Sequence, residues 1–142
     1  RVEDALYATR AAVKSGILEG GGAALVRAGK KITTKNTDVD FLAGWNMFKE
    51  VSSAPLRQIA TNAGKIPELI LEKTLQSSLG YDARDDKFVN LVKNGIIDPA
   101  LVVISAVRHA SSAANNLLSV SCAMHSIDEQ VAENEFMNLN SN

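Results

Sequence analysis

The 142-residue chain has very few of the residues that would commit it to a specialised class. Cys122 is the only cysteine, so no disulfide can form within the chain, and a reducing, cytosol-like compartment is the expectation. No signal peptide is expected, and no run of about 18 apolar residues could cross a membrane as a helix, so a membrane partner is not expected. Fifteen Lys and Arg against sixteen Asp and Glu leave a net charge of −1 without a basic cluster, which argues against a nucleic-acid partner. His109 and His125 have no second ligand type at metal spacing beside them, so both read as structural and no metal site is expected. No internal repeat occurs. Methionine is missing from the first position, where Arg1 enters a helical pattern with no capping residue ahead of it, and the expectation is a piece of a longer protein.

What is present is ordinary globular composition, 46% hydrophobic and 22% charged, enough for one domain with a core. The periodicity is mostly helical. Val2, Ala5, Leu6, Ala12, Val13 and Ile17 share one face of a first helix that runs into the glycines at 20–22. Ala23 to Lys31 forms a second, and Thr37 or Asp38 caps a third that carries Phe41, Leu42, Trp45 and Phe48, its aromatic residues expected in the core. Ser52 or Ser53, Pro55 and Gly64 mark both ends of a fourth helix, and Pro67 opens a fifth. Glycines and short alternations over 79–97 indicate a tight hairpin or irregular segment. Asp98 and Pro99 read as cap and first turn of a long helix from Ala100 to Leu118, followed by a strand-like Ser119–Ser126 and a frayed tail. The fold class is therefore all-α, with a short β-hairpin or irregular segment and a C-terminal strand.

The stretch "SGILEGGGAALVRA" poses the functional question. Three glycines permit positive φ and close backbone approach, and they lead into a helix start, where anions and polar ligand edges are accommodated. A nucleotide is the natural candidate. The loop is neither a Walker loop, which needs Lys then Ser or Thr after its last glycine, nor a Rossmann fingerprint, which needs a preceding strand. A helix-to-helix turn in which glycine only allows close packing explains the same residues.

Several stretches, in order, carry a family resemblance: "RVEDALYATRAAVKSGILEGGGAALVRA", "APLRQIATNAG", "GYDA", "FVNLVKNGIIDP" and "ALVVISAVRHASSAANNLL". Together they resemble the C-terminal equatorial segment of the GroEL-type, group I chaperonins, over residues 1–128, with 129–142 as a flexible tail. The resemblance implies a mainly helical ATP-binding domain from stacked homo-oligomeric rings that enclose unfolded polypeptide and work with a lid co-chaperonin, in a bacterial cytoplasm or, alternatively, an organelle matrix. It implies Asp4 as the acid that positions the attacking water, and Gly21, supported by Gly20 and Gly22, against the ribose and base side of ATP. Asp98 falls where ribose hydroxyls are held, and Asp82, Ala83 and Arg84 fall where adenine is contacted. Asp82 stands where many members have Asn, and Arg84 is larger than the usual residue. The phosphate loop and the Mg2+ ligand of the family lie outside this sequence, so the parent is expected to be the ATPase and the fragment alone inactive. A free-standing helical interaction module without nucleotide binding is the rival reading.

Overall fold

A computed structural model describes residues 1–122 and residue 124. Among them are six helices and four three-residue strands: α1 (Val2–Ser15), β1 (Ile17–Glu19), α2 (Ala23–Lys31), α3 (Val39–Val51), α4 (Ala54–Asn62), α5 (Pro67–Gln76), β2 (Gly80–Asp82), β3 (Lys87–Val89), β4 (Ile97–Pro99) and α6 (Ala100–Leu118). The mainly helical class expected from periodicity is what forms. Two compact units divide the chain, Arg1–Val107 and Arg108–Asn142. The second contains the last half of α6 and, within the described residues, turn and bend at Ser119 and Ser121 rather than strand. The expected C-terminal strand is therefore not formed at Ser119–Cys122 or at Met124; Ala123, His125, Ser126 and the tail at 129–142 lie outside the described residues.

In the first unit the helices start and stop where local chemistry tells them to. Asp38 accepts the Phe41 N–H at 2.8 Å, capping α3. Pro55 and Pro67 occupy first-turn positions of α4 and α5, where a missing N–H costs no hydrogen bond. The end of α4 is a Schellman motif: Lys65 N–H reaches the Ala60 carbonyl at 2.9 Å, Gly64 N–H reaches Thr61 at 2.9 Å, and Gly64 takes the required left-handed φ of 69°. Ser53 flanks α4, but its hydroxyl donates backward to the Glu50 carbonyl at 2.7 Å and makes no cap bond.

The core is small. Val26 of α2, Leu56 and Ala60 of α4, Ile70 of α5 and Tyr81 of β2 form the buried cluster, with Ala63, Leu71, Leu75 and Phe88 packed on it. Thus β2 and β3, an antiparallel hairpin pairing Tyr81 with Phe88, close over α4 and α5. The other sheet is long-range: β1 pairs antiparallel with β4, Leu18 opposite Asp98. An apolar hollow of about 300 Å³ lies between Leu18, the α2 residues Ala24, Leu25 and Ala28, and Val103, Ile104 and Val107 of α6.

Two apolar helical faces are left uncovered, and for the second this overturns an expectation. The apolar stripe of α1 is not buried, Val2 and Val13 being 87% and 85% exposed. Phe41 and Phe48 are also exposed, and Trp45 only half-buried; Phe41 and Trp45 stack on each other at 5.9 Å instead of entering the core. The reason is the same in both: a helical stripe records that a face is apolar, while burial requires an element opposite it.

Candidate functional site

The glycine loop sits between β1 and α2. Ile17, read as the end of the first helical stripe, is instead the first residue of β1, because Gly16 breaks α1 at φ 80° and the next three residues find pairing partners in β4. A strand does precede the glycines, although at three residues it is far from a Rossmann unit. Each glycine has its own constraint. At Gly20 a Cβ would lie 3.1 Å from the Ile96 carbonyl, whose oxygen accepts the Gly20 N–H at 3.0 Å. At Gly22, with φ 77°, it would lie 2.8 Å from the Leu56 backbone nitrogen in the first turn of α4. Gly21, φ 63°, meets only the Tyr81 carbonyl oxygen, at 3.8 Å. The outer two glycines are therefore dictated by packing, and the middle one by backbone conformation with room beside it.

Three segments far apart in sequence converge here. Gly20–Gly22, the end of β2 at Tyr81–Asp82, and β4 with Asp98 are brought together by the β1–β4 pairing and by the Gly21–Tyr81 approach. Asp98 is half-buried. Its role as a helix cap is corrected: Asp98 and Pro99 belong to β4, α6 begins at Ala100, and its first turn is held from α1. Ser15 Oγ accepts the Leu101 N–H at 3.0 Å, and the Gly16 carbonyl accepts the Ala100 N–H at 3.0 Å. The carboxylate of Asp98 is thereby free of capping duty.

The turn between β2 and β3 is built by Asp82. Its Oδ1 accepts the Arg84 N–H at 2.9 Å and that of Asp85 at 3.4 Å, an Asx turn that folds the exposed Ala83 and Arg84 into a tight bend. The Asp that stands where many members have Asn therefore shapes this turn through acceptors alone, which the missing amide donor does not affect.

Asp4 is not brought to this cluster by contact. It is exposed in the first turn of α1, about 16 Å along the helix axis from Ser15 at roughly 1.5 Å per residue.

Two sets of charged residues around the site carry no motif in the sequence. Arg27 of α2 pairs with Glu19 of β1 and donates to the carbonyls of Leu79 at 2.9 Å, Ser77 at 3.2 Å and Thr74 at 3.4 Å. It thus ties the strand before the glycines to the chain entering β2. Lys65, at the end of α4, reaches Asp86 Oδ2 at 2.6 Å, and the Tyr81 hydroxyl donates to Asp86 Oδ1 at 3.0 Å. Hydrogen bonding from Lys65, then from Tyr81, holds the Asp86 carboxyl below the usual carboxylate range. Lys65 is pushed up by the same bond, and Tyr81 is pushed up chiefly by its burial. Among the described residues no group of three His, Cys, Asp or Glu could hold a metal ion, and no helix is long and apolar enough to cross a membrane.

Comparison with known proteins agrees with this layout. Among solved structures, a group III chaperonin in the open state superposes with a TM-score of 0.67 at 28% sequence identity, over 80% of this chain and 25% of that one. The chain therefore spans about a quarter of that protein's length. The sequence pattern of the TCP-1/cpn60 chaperonins matches residues 1–127, nearly all of the chain and every segment of the site. With the helical body, the paired strands around the triple glycine and that match in agreement, the chain belongs to the TCP-1/cpn60 chaperonin family.

Proposed function

We propose that this chain is the C-terminal equatorial segment of an ATP-driven, GroEL-type group I chaperonin, and that it supplies the ribose and base side of the nucleotide site. The observation that carries the reading is that the glycine loop is brought to two distant stretches at once: Gly21 approaches the Tyr81 carbonyl just before the Asp82–Arg84 turn, and β1, leading into the loop, pairs with the β4 strand that carries Asp98. In this reading the bare backbone of Gly21 lies against the nucleoside, and Asp98, released from capping, accepts hydrogen bonds from ribose hydroxyls. Asp82 Oδ1 is committed to its own turn and takes the Arg84 N–H, so in this reading contact with adenine falls to the Ala83 N–H and the carbonyls of Ala83 and Arg84. Asp4 orients the attacking water from the far end of α1, a task for which a carboxylate is suited because it accepts a proton or a hydrogen bond. The phosphate loop and the magnesium ligands belong to residues outside this chain. The whole protein forms stacked rings, encloses unfolded polypeptide and takes a lid co-chaperonin, in a bacterial cytoplasm or, alternatively, an organelle matrix.

The test is made in the assembled chaperonin whose polypeptide carries this sequence, comparing single-turnover ATP hydrolysis with equilibrium Mg-ATP affinity. Asp4→Ala should slow hydrolysis by ~10²–10⁴-fold with affinity nearly unchanged. Asp98→Ala should weaken affinity instead. Hydrolysis by Asp4→Ala within about threefold of the unsubstituted protein, well short of that range, would leave Asp4 as an ordinary first-turn acid. The second reading, a helical interaction module that binds protein partners, is favoured by the exposed apolar residues Val2, Val13, Met47 and Ile104. It stands if the assembled protein binds no nucleotide.

A further inference from the structure

The hairpin turn is anchored at its far side as well as by Asp82. Asp86, the last residue before β3, is the one non-glycine among the described residues with positive φ, 54°, a conformation that Asp adopts more readily than most residues and that its side-chain partners reinforce here. Both carboxylate oxygens have such partners. Oδ2 takes Lys65, whose backbone is itself locked by the Schellman motif at Gly64, and Oδ1 takes the hydroxyl of Tyr81. Tyr81 is 3% exposed, packed in the core and against Phe88 with ring centroids 5.6 Å apart. The turn is thus held by one residue fixed in the core and by one fixed at a helix end.

Energetically the Lys65–Asp86 pair is modest, because both side chains are about half exposed and solvent screens such pairs. Its value is geometric: it ties the turn that follows Tyr81, whose carbonyl Gly21 approaches, to the end of α4 and to the core. A pair worth so little to folding still matters where the backbone it holds must meet a planar ligand edge at hydrogen-bond distance.

We infer that Lys65, Asp86 and the Tyr81 hydroxyl are positioning residues that hold the Asp82–Arg84 turn in the shape that selects the purine base, so that they set discrimination between adenine and guanine nucleotides. The inference rests on the nucleotide reading above and adds to it the residues that decide base choice. In this reading all three act through the turn.

Mg-ATP and Mg-GTP serve as probes, each titrated into the assembled chaperonin that carries this sequence, with hydrolysis at saturation measured alongside. Tyr81→Phe removes one oxygen and leaves the packed ring, and Asp86→Ala removes both anchor points. Each should lower the ATP-over-GTP affinity ratio on the order of three- to tenfold, the worth of one net hydrogen bond, while the saturated hydrolysis rate with ATP changes less than about twofold. Asp85→Ala, in the same turn with its carboxylate 3.9 Å from Lys87, should leave the ratio unchanged. If Asp86→Ala fails to fold, Tyr81→Phe decides alone. An unchanged ratio in Tyr81→Phe, or equal affinity for both nucleotides in the unsubstituted protein, overturns the base-selection role while leaving the nucleotide site standing. No binding of either nucleotide by the unsubstituted protein overturns the nucleotide reading and this inference with it.

Discussion

Helices α1 and α4 are both amphipathic in sequence, yet α4 buries Leu56 and Ala60 while α1 buries nothing. The difference lies in what stands opposite each. Helix α4 faces α2, α5 and the β2–β3 hairpin, and their side chains close around Leu56 at 1% exposure. Helix α1 is held at its end only, through Ser15 and Gly16 to the start of α6, so its length carries the exposed Leu6 and Val13. The stability of this chain therefore resides in α2, α4, α5 and the hairpin. On our proposal, α1 contributes chemistry through Asp4 rather than folding energy.

The largest expected effect separates these two regions directly. Leu56→Ala should destabilise the chain by about 2–5 kcal/mol, since the side chain is fully enclosed and a cavity remains. Val13→Ala on α1 should change stability by no more than about 0.5 kcal/mol. Urea unfolding of both variants gives the comparison, and equal losses would mean that α1 is packed in solution after all.

A smaller effect is expected where the two regions meet. Gly22→Ala places a methyl group against the Leu56 backbone nitrogen and forces a left-handed φ on alanine, so it should cost about 1–3 kcal/mol. Gly64→Ala, also left-handed but in open space, should cost less, about 1 kcal/mol. Thermal unfolding ranks the two, and the reverse order would show that α4 yields to the glycine loop.

The smallest effect is electrostatic. Asp86 and Glu68 have carboxyls held below their ordinary values, Asp86 by hydrogen bonding from Lys65 and Tyr81, and Glu68 by its own backbone N–H and then by Arg57. Groups with depressed values contribute stability above their unfolded pKa, and lose it as pH falls through the folded one. Stability should accordingly be full above about pH 5 and decline below about pH 4, with a shallower acid decline in Asp86→Asn. Lys65, raised by Asp86, works in the opposite sense, its contribution fading only as pH rises beyond the ordinary lysine range. Denaturant midpoints across pH 3–7 test the acid side, and an identical slope in Asp86→Asn would remove this carboxylate from the balance.

Much of the architecture is readable without coordinates. Helices α3, α4 and α5 begin where Asp38, Pro55 and Pro67 mark them and α4 ends at Gly64, because helix hydrogen bonds join residues four apart and such signals are local. The hairpin near 80–89 is announced by its glycine and its turn chemistry. The triple glycine is visible too, with both its packing and its ligand-facing explanations. Tertiary structure decided the rest. Three-residue strands have no signal of their own, so Ile17–Glu19 reads as helix end and Asp98 as a cap until residues some 80 positions apart are paired. The glycines were divided into two that pack, against Ile96 and Leu56, and one with room beside it. Lys65, Asp86, Arg27 and Glu19 look in sequence like any solvated charges, since an ion pair between distant segments leaves no periodicity. Burial of α4 and exposure of α1 follow the same physics: an amphipathic pattern specifies a face, and only the neighbours brought against it by the fold decide whether that face is covered.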